Sequence, residues 1–278
     1  MNLFDFHIHT RFSSCCKCDY GYLDVQQRVK ELGLSGFGVS DHSTYSKTDL
    51  EHVLLHRKAQ QASTTEPKGL VGMEISIFNQ RGKLGVYPKA LPLLDYIIIA
   101  EHIHVAKPFS GYFTFQARMM KLIENYPLTE HKINNELDRL LAMELAAIKQ
   151  HPRSILAHLL RFPVHRHFVP PKVFEMTEKI LEALQTYNVA LEIHSSFLSG
   201  YQMDKAAADA QKRGTDANLR DFFHNLAHRV KFYSIPYSIG SDAHNLAHIH
   251  SAETWRTFFQ LAGLDASRLI TPAFFIEN

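Results

Sequence analysis

The amino-acid sequence predicts an α/β fold whose parallel strands close, or nearly close, into one barrel covered by helices. Three observations predict it. Seven short runs rich in Ile, Val, Leu, Phe and Tyr alternate with longer stretches of helical periodicity. The runs are almost continuously apolar, as strands buried on both faces must be. No repeat or break in composition divides the 278 residues, so one domain over 1–278 is expected rather than two small ones. An open doubly wound sheet is the alternative. No glycine-rich nucleotide turn follows any run, which counts against the dinucleotide-binding version of that sheet.

In chain order, the first run is LFDFHIH from Leu3. A helix over Leu23–Leu32 follows, with Leu23, Val25, Val29 and Leu32 as its apolar residues. The second run is GFGVSDH from Gly36, the third GLVGMEIS from Gly69 and the fourth DYIIIAEH from Asp95. Residues 107–150 read as an insertion before the fifth strand. An aromatic loop, PFSGYFTF, comes first, and a mostly helical excursion over Met119–Gln150 comes next. Insertions at this end of a barrel strand shape access to the catalytic face. The fifth run, SILAHLL from Ser154, precedes a helix over Lys172–Tyr187 that carries Val173, Met176, Ile180, Leu181 and Leu184. Asn188 is its stop signal. VALEIHS from Val189 and PYSIGSDAH from Pro236 are the last two runs; helices over Asn218–Val230 and Ala252–Ala262 follow them.

Composition narrows the function. With 45% hydrophobic and 21% charged residues, the chain can bury a large core and is not disordered. A net charge of +2 gives no reason to expect a surface that coats nucleic acid. The start, MNLFDFHIHT, lacks the basic and long apolar segments of a signal peptide, and no apolar run could span a bilayer, so a cytoplasmic protein without a membrane partner is expected. The 3 cysteines, Cys15, Cys16 and Cys18, are odd in number and clustered, a poor disulfide framework that fits free or metal-bound thiols in a reducing compartment. The 18 histidines are far more than a chain of this length needs.

Their placement carries the chemistry. The first run ends in His7 and His9, the second in Asp41 and His42, the third in Glu74, and the fourth in His102 with His104 beyond it. The fifth ends in His158, the sixth in Glu192 and His194, and the seventh in Asp242 and His244. The C-terminal ends of barrel strands converge on one cavity. Residues two apart in a strand, such as His7 and His9 or Asp242 and His244, face the same side. One histidine at a strand end is ordinarily a hydrogen-bonded core residue. Seven strand ends decorated alike are not explained that way, because burying so many polar groups is costly unless they are paired or coordinated. Imidazoles mixed with carboxylates suit Zn, Mn or Fe better than Ca or Mg. The ligands are too many for one tetrahedral ion, so two or three divalent ions are implied, with a carboxylate such as Glu74 bridging.

The motifs FHIHT, VSDHS, GMEI, AEHIH, LAHL and SDAH, in this order from His7 to His244, resemble the polymerase-and-histidinol-phosphatase (PHP) family. The resemblance implies a distorted, TIM-like (β/α)7 barrel, into which the helical insertion before the fifth strand is set, and a two- or three-metal phosphoesterase site. Transferred onto this sequence, the family pattern puts His7, His9, Glu74 and Asp242 around one ion. Glu74 bridges to a second ion completed by His102 and His158, and His42 and His244 hold a third. Where the pattern has another histidine after HIHT, this chain has Cys15, whose thiolate can replace it. His194 departs from the pattern, which has asparagine there, and is a candidate to protonate the leaving group; Asp41 is a second candidate catalytic group. Arg11, Arg161 and His104 are candidate contacts to substrate phosphate, and the aromatic loop of the insertion is either packing or a stacking surface.

The expected reaction is hydrolysis of a phosphate ester by water activated at the metal ions, with no covalent nucleophile. A small phosphorylated substrate such as histidinol phosphate is the first expectation, since no second domain is present to grip a polymer. A nucleotide or nucleic-acid phosphodiesterase is the second. An amidohydrolase-like C–N hydrolase or a non-catalytic metal-binding barrel belongs to other classes; no strand-end lysine supports the former.

Overall fold

The structure, a computed structural model, describes residues 1–17, 19–102, 121–161, 164, 168–200 and 217–276, with backbone alone at 199–200 and 217–219. Seven parallel strands close in sequence order into a barrel. They are β1 (Phe4–Ile8), β2 (Gly36–Val39), β3 (Leu70–Ser76), β4 (Tyr96–Ala100), β5 (Ile155–Leu156), β6 (Ala190–His194) and β7 (Tyr237–Gly240). β7 pairs back onto β1 through Asp5 and Ile239. Closure therefore removes the free edge an open sheet would leave. The register of β1 against β2 shifts between Asp5 and Ile8, a bulge of the kind that re-aims a side chain, here bracketing His7.

The interior is filled in two halves. Phe6, Tyr96, Ile98, Ile155 and Ile270 pack together in the apolar half. Phe275, from the C-terminal segment, sets its ring 5.5 Å from Phe6 and 5.3 Å from Tyr96. The Tyr96 hydroxyl donates to the Phe6 carbonyl at 2.6 Å. Room for that ring comes from two glycines. A Cβ on Gly38 would lie 2.0 Å from the Tyr96 hydroxyl, and one on Gly72 would lie 2.3 Å from its Cζ. The polar half, toward the C-terminal strand ends, holds the clustered His, Asp and Glu side chains.

Helices cover the outside: α1 (Tyr22–Glu31), α2 (Lys47–Ala62), α3 (Glu130–Gln150), α4 (Pro171–Tyr187), α5 (Ser195–Gly200), α6 (Ala217–Val230) and α7 (Ala252–Ala262). Most follow the expected periodicity. Asn188 ends α4 in the left-handed region at φ 53°, which asparagine tolerates. Ser251 caps α7 by accepting from the Thr254 N–H. Within the region read as an insertion, α3 buries Ile133, Leu137, Leu140, Leu141 and Ile148 and forms the crossover from β4 to β5. The aromatic loop of that region, and His104, lie outside the described residues.

Two features depart from the sequence reading. α2 carries no apolar stripe, since the residues it buries are Asp49, Val53 and His56, and periodicity does not reveal it. Cys16 is disulfide-bonded, against the expectation that the thiols are free or metal-bound, whereas Cys15 is a free, exposed thiol. Among the described residues, no helix is long and apolar enough to cross a membrane.

Candidate metal centre

The strands deliver the polar side chains in two ways. His7, Glu74, Glu192 and His194 lie within strands, and the others sit one to four residues past a strand end. Backbone pairing continues beyond the strands to hold them. The His9 N–H donates to the Ala243 carbonyl at 3.0 Å, and the Glu74 N–H to the Asp41 carbonyl at 3.1 Å. Isolated bridges join Ile8 to Ala243 and His42 to Glu74. The expectation that Asp242 and His244 share a strand face is overturned, because β7 stops at Gly240 and Asp242 turns into the left-handed region at φ 51°. His158 is there too, at φ 25°. Each such residue costs of order 1–3 kcal/mol, a strain that recurs at functional sites. His244 folds back so that its Nδ1–H donates to the Asp242 carbonyl at 2.8 Å.

Proton bookkeeping at the centre leaves acceptors facing acceptors. The His7 Nδ1–H donates to Glu192 Oε1 at 2.6 Å, so the His7 Nε2 lone pair faces inward. The His9 Nδ1–H donates to Ser13 Oγ at 2.9 Å, so its Nε2 lone pair faces inward as well. The two Nε2 atoms are 3.2 Å apart. Glu74 Oε2 lies 3.2 Å from the first and 3.4 Å from the second. Asp242 Oδ1 lies 2.9 Å from His9 Nε2. With both imidazoles neutral, four lone-pair atoms therefore converge, and without a cation they hold together only by sharing a proton taken up on His7. That arrangement is unstable alone and is what a divalent cation requires.

Glu74 joins this group to its neighbours. Its Oε1 lies 2.9 Å from His102 Nε2 and 2.8 Å from His158 Nε2, and its Oε2 lies 2.8 Å from His42 Nδ1. Glu74 Oε2, His42 Nδ1 and His102 Nε2 are buried and make no hydrogen bond despite these separations. His244 Nε2 meets Cys15 Sγ at 2.8 Å. Three groups among the described residues hold ligand atoms within 4.8 Å of one another: His7, His9, Glu74 and Asp242; His42, Glu74 and His102; and His9, His42 and His244.

Burial and charge pull in opposite directions here. Burial favours a neutral His7, yet Glu192, Glu74 and Asp242 hold its pKa well above the ordinary value. Burial likewise opposes charge on His42, but Glu74 and Cys15 push it up to about 10. For His158 burial wins and takes the pKa down to about 3. Glu74 and Asp242 stay well below the usual carboxylate range despite burial, because the surrounding imidazoles favour their charge. Burial raises the Cys15 thiol, but its hydrogen bonds with His244 and His42 outweigh this and bring it to about 7. Carboxylates held charged beside imidazoles form a negative cage suited to cations.

Other candidates divide. His194 accepts the Ser196 N–H on Nδ1 at 3.1 Å, which puts its own proton on Nε2, 3.4 Å from Asp242 Oδ2. That Nε2 is buried and makes no hydrogen bond. Arg161 lies near enough to His102 and His158 for its charge to lower both their pKa values. Arg11 is exposed and donates to the Asp19 carbonyl at 3.3 Å. Asp41, expected as a catalytic group, is buried and fully engaged. It accepts from the Thr10 N–H, the Thr10 hydroxyl, the Ser13 hydroxyl and His56 Nε2, at 2.7, 2.7, 2.7 and 2.8 Å. Its oxygens are committed to holding the loop after β1. Sequence reasoning missed Ser13 and His56, and named Glu192 only among the residues that end the strands. Glu192 orients His7 and accepts the His158 N–H at 2.8 Å. Gly240 makes room for it, since a Cβ there would fall 2.0 Å from Glu192 Oε1. The strand-end pattern pointed to Glu192, but no local signal marks Ser13 or His56.

The model of the PHP domain matches residues 5–196. This chain belongs to the PHP domain family. It is a metal-dependent phosphoesterase. The match includes the elements that carry His7 through His194, and the barrel continues past it to β7 with Asp242 and His244. The fold is similar to that of histidinol phosphate phosphatase from Lactococcus lactis subsp. lactis Il1403, solved in complex with zinc, L-histidinol and phosphate. The TM-score is 0.60 at 16% identity, and 95% of each chain is covered. Among curated proteins, no relative matches the chain.

Proposed function

We propose that this PHP-family chain, one barrel domain over 1–278, is a phosphomonoesterase acting on a small phosphorylated molecule at two or three divalent ions. The observation that carries the reading is the convergence of His7 Nε2, His9 Nε2, Glu74 Oε2 and Asp242 Oδ1, all within 4.8 Å of one another. These four would hold one ion; Glu74, His102 and His158 a second; and His42, His244 and Cys15 a third. Zinc, manganese and iron all suit this donor set, and the thiolate favours zinc at the third position.

When bound, the ions supply a water of lowered pKa and positive charge for the phosphoryl oxygens. The chain's own residues do the rest. Glu192 and Ser13 fix His7 and His9 so that their lone pairs stay inward. Arg161, beside His102 and His158, is placed to neutralise a phosphoryl oxygen, the role of a guanidinium at such sites. Arg11 and His104 would extend the phosphate contacts. The Nε2–H of His194, 3.4 Å from Asp242 Oδ2, can hydrogen-bond the ester oxygen and stabilise the charge that develops on the departing alkoxide. Histidinol phosphate is the leading substrate because the structurally similar phosphatase holds L-histidinol and phosphate.

The test is metal content together with hydrolysis of a generic phosphomonoester and a generic phosphodiester, for wild type and His9→Ala. Two or three ions, with monoester turnover abolished in the variant, are expected. Turnover of the diester alone would replace this reading with a nucleotide or nucleic-acid phosphodiesterase, and a protein that binds no divalent ion would end it.

A further inference from the structure

Helix α2 turns Asp49, Val53 and His56 inward, positions that fall on one face of a helix. Two of these three are polar, and both hold loops of the metal centre. Asp49 accepts from the Ser43 hydroxyl at 2.8 Å, the Thr44 N–H and hydroxyl at 2.7 Å each, and the Tyr87 N–H at 3.0 Å. It thereby pins the loop immediately after His42. His56 donates from Nε2 to Asp41 Oδ2 at 2.8 Å and packs its ring 5.0 Å from Phe12.

From Asp41 a chain of hydrogen bonds runs to His9. The Ser13 hydroxyl donates to Asp41 Oδ1 at 2.7 Å. The same oxygen accepts the His42 N–H at 3.1 Å and pairs with His9 Nδ1 at 2.9 Å. A hydroxyl has one proton and two lone pairs. With its proton on Asp41 and one lone pair on the His42 N–H, Ser13 can only accept from His9. His9 therefore carries its proton on Nδ1 and turns the Nε2 lone pair to Glu74 and Asp242. The direction of the whole chain depends on Asp41 remaining oriented as an acceptor toward Ser13. His56 and the Thr10 hydroxyl anchor the far oxygen. Without His56 that oxygen keeps only the Thr10 hydroxyl, and Asp41, left with three of its four donors, holds Ser13 less firmly.

We propose that His56 is a positioning residue of the metal centre, setting the tautomer of His9 through Asp41 and Ser13. The proposal rests on the metal-centre reading above. His56 touches none of the clustered ligand atoms, so its effect on the ions would travel by the orientation of hydrogen bonds.

The experiment is competition for Zn against a chromophoric chelator, run on full-length protein alongside urea unfolding. The proteins are wild type, His56→Leu, His56→Gln, Ser13→Ala and Val53→Ala. His56→Leu is expected to weaken the ion bound by His9 by about 10–100-fold, the usual effect of losing a residue that orients a metal ligand. His56→Gln, which keeps an N–H donor, is expected to recover most of that loss. Ser13→Ala cuts the same chain on the other side of Asp41 and is expected to match His56→Leu, so the test survives if His56→Leu does not fold. Val53→Ala, on the same face of α2, is expected to lower the unfolding midpoint and leave Zn affinity unchanged. Wild-type affinity in His56→Leu or Ser13→Ala, or equal weakening in Val53→Ala, would overturn the proposal. Absence of Zn binding by wild type would instead remove the metal-centre reading beneath it.

Discussion

Replacing Glu192 by glutamine tests the centre without changing its shape. Oε1 accepts the His7 Nδ1–H at 2.6 Å and Oε2 accepts the His158 N–H at 2.8 Å. Glutamine offers one oxygen and one NH2 for those two donors, so one of them must lose its acceptor. The His158 N–H belongs to the buried backbone and cannot change its role; facing it with NH2 costs about 1–3 kcal/mol for an unsatisfied donor. His7 can change, because an imidazole can move its proton from Nδ1 to Nε2. The amide will therefore turn its NH2 to His7, and the His7 proton will move to Nε2. That proton then points among Glu74 Oε2, Asp242 Oδ1 and His9 Nε2, where a lone pair is needed to bind an ion. Loss of a partner that orients a metal ligand typically weakens binding by about 10–100-fold, or roughly 1.4–2.7 kcal/mol. The first ion should be lost by at least that factor, and monoester turnover should fall with it. Metal content after exhaustive dialysis, phosphatase rate and the 15N shifts of His7 are the measurements. A Glu192→Gln protein with full metal content, wild-type kcat/KM and an unprotonated His7 Nε2 would refute the reasoning.

Three further outcomes are expected. His7, His42 and His244 all have pKa values raised above the ordinary imidazole value, so each holds more tightly to a proton that a metal must displace. Metal affinity should therefore fall as the pH is lowered from 8 to 6, and calorimetry in buffers of different ionisation enthalpy should register proton release; pH-independent affinity would contradict this. Cys15→Ser should reduce occupancy of the third ion and abolish the near-ultraviolet thiolate-to-metal absorption of the cobalt-loaded protein, and an unchanged spectrum would show that Cys15 is not a ligand. Gly72→Ala would drive a Cβ to 2.3 Å from the Tyr96 ring, which is held by its hydrogen bond to Phe6. It should cost about 1–3 kcal/mol by overpacking, read as a lower urea midpoint at unchanged slope.

Much of the centre was legible in the sequence. The strand runs are nearly continuous in apolar residues because both faces of a parallel barrel strand are buried. His7, Glu74, His102, His158 and Asp242 stand out because each closes such a run. The position of α2 was not legible, because its fully buried residues are Asp49 and His56 around a single Val53, with Leu50 and Ala59 only partly covered, and periodicity detects only apolar burial. Asp41 stood at a strand end as a candidate catalytic group, yet its four donors come from positions 10, 13 and 56 and leave it no free lone pair directed at a substrate.

The sequence by itself determined the succession of strands and helices in one α/β unit and which residue types would gather at the strand ends, while closure over the open-sheet alternative came from the pairing of β7 with β1. Those properties follow from local patterns, the spacing of apolar residues and the chemistry of the residue that ends each run. Only the tertiary structure decided which nitrogen of His7 and His9 faces the cluster, that Asp242 and His158 leave their strands in the left-handed region, and that Gly38 and Gly72 exist to admit Tyr96. Each of these depends on a partner from a distant part of the chain. Glu192 lies 185 positions from His7, and the distance between them is set by barrel closure rather than by anything in either neighbourhood.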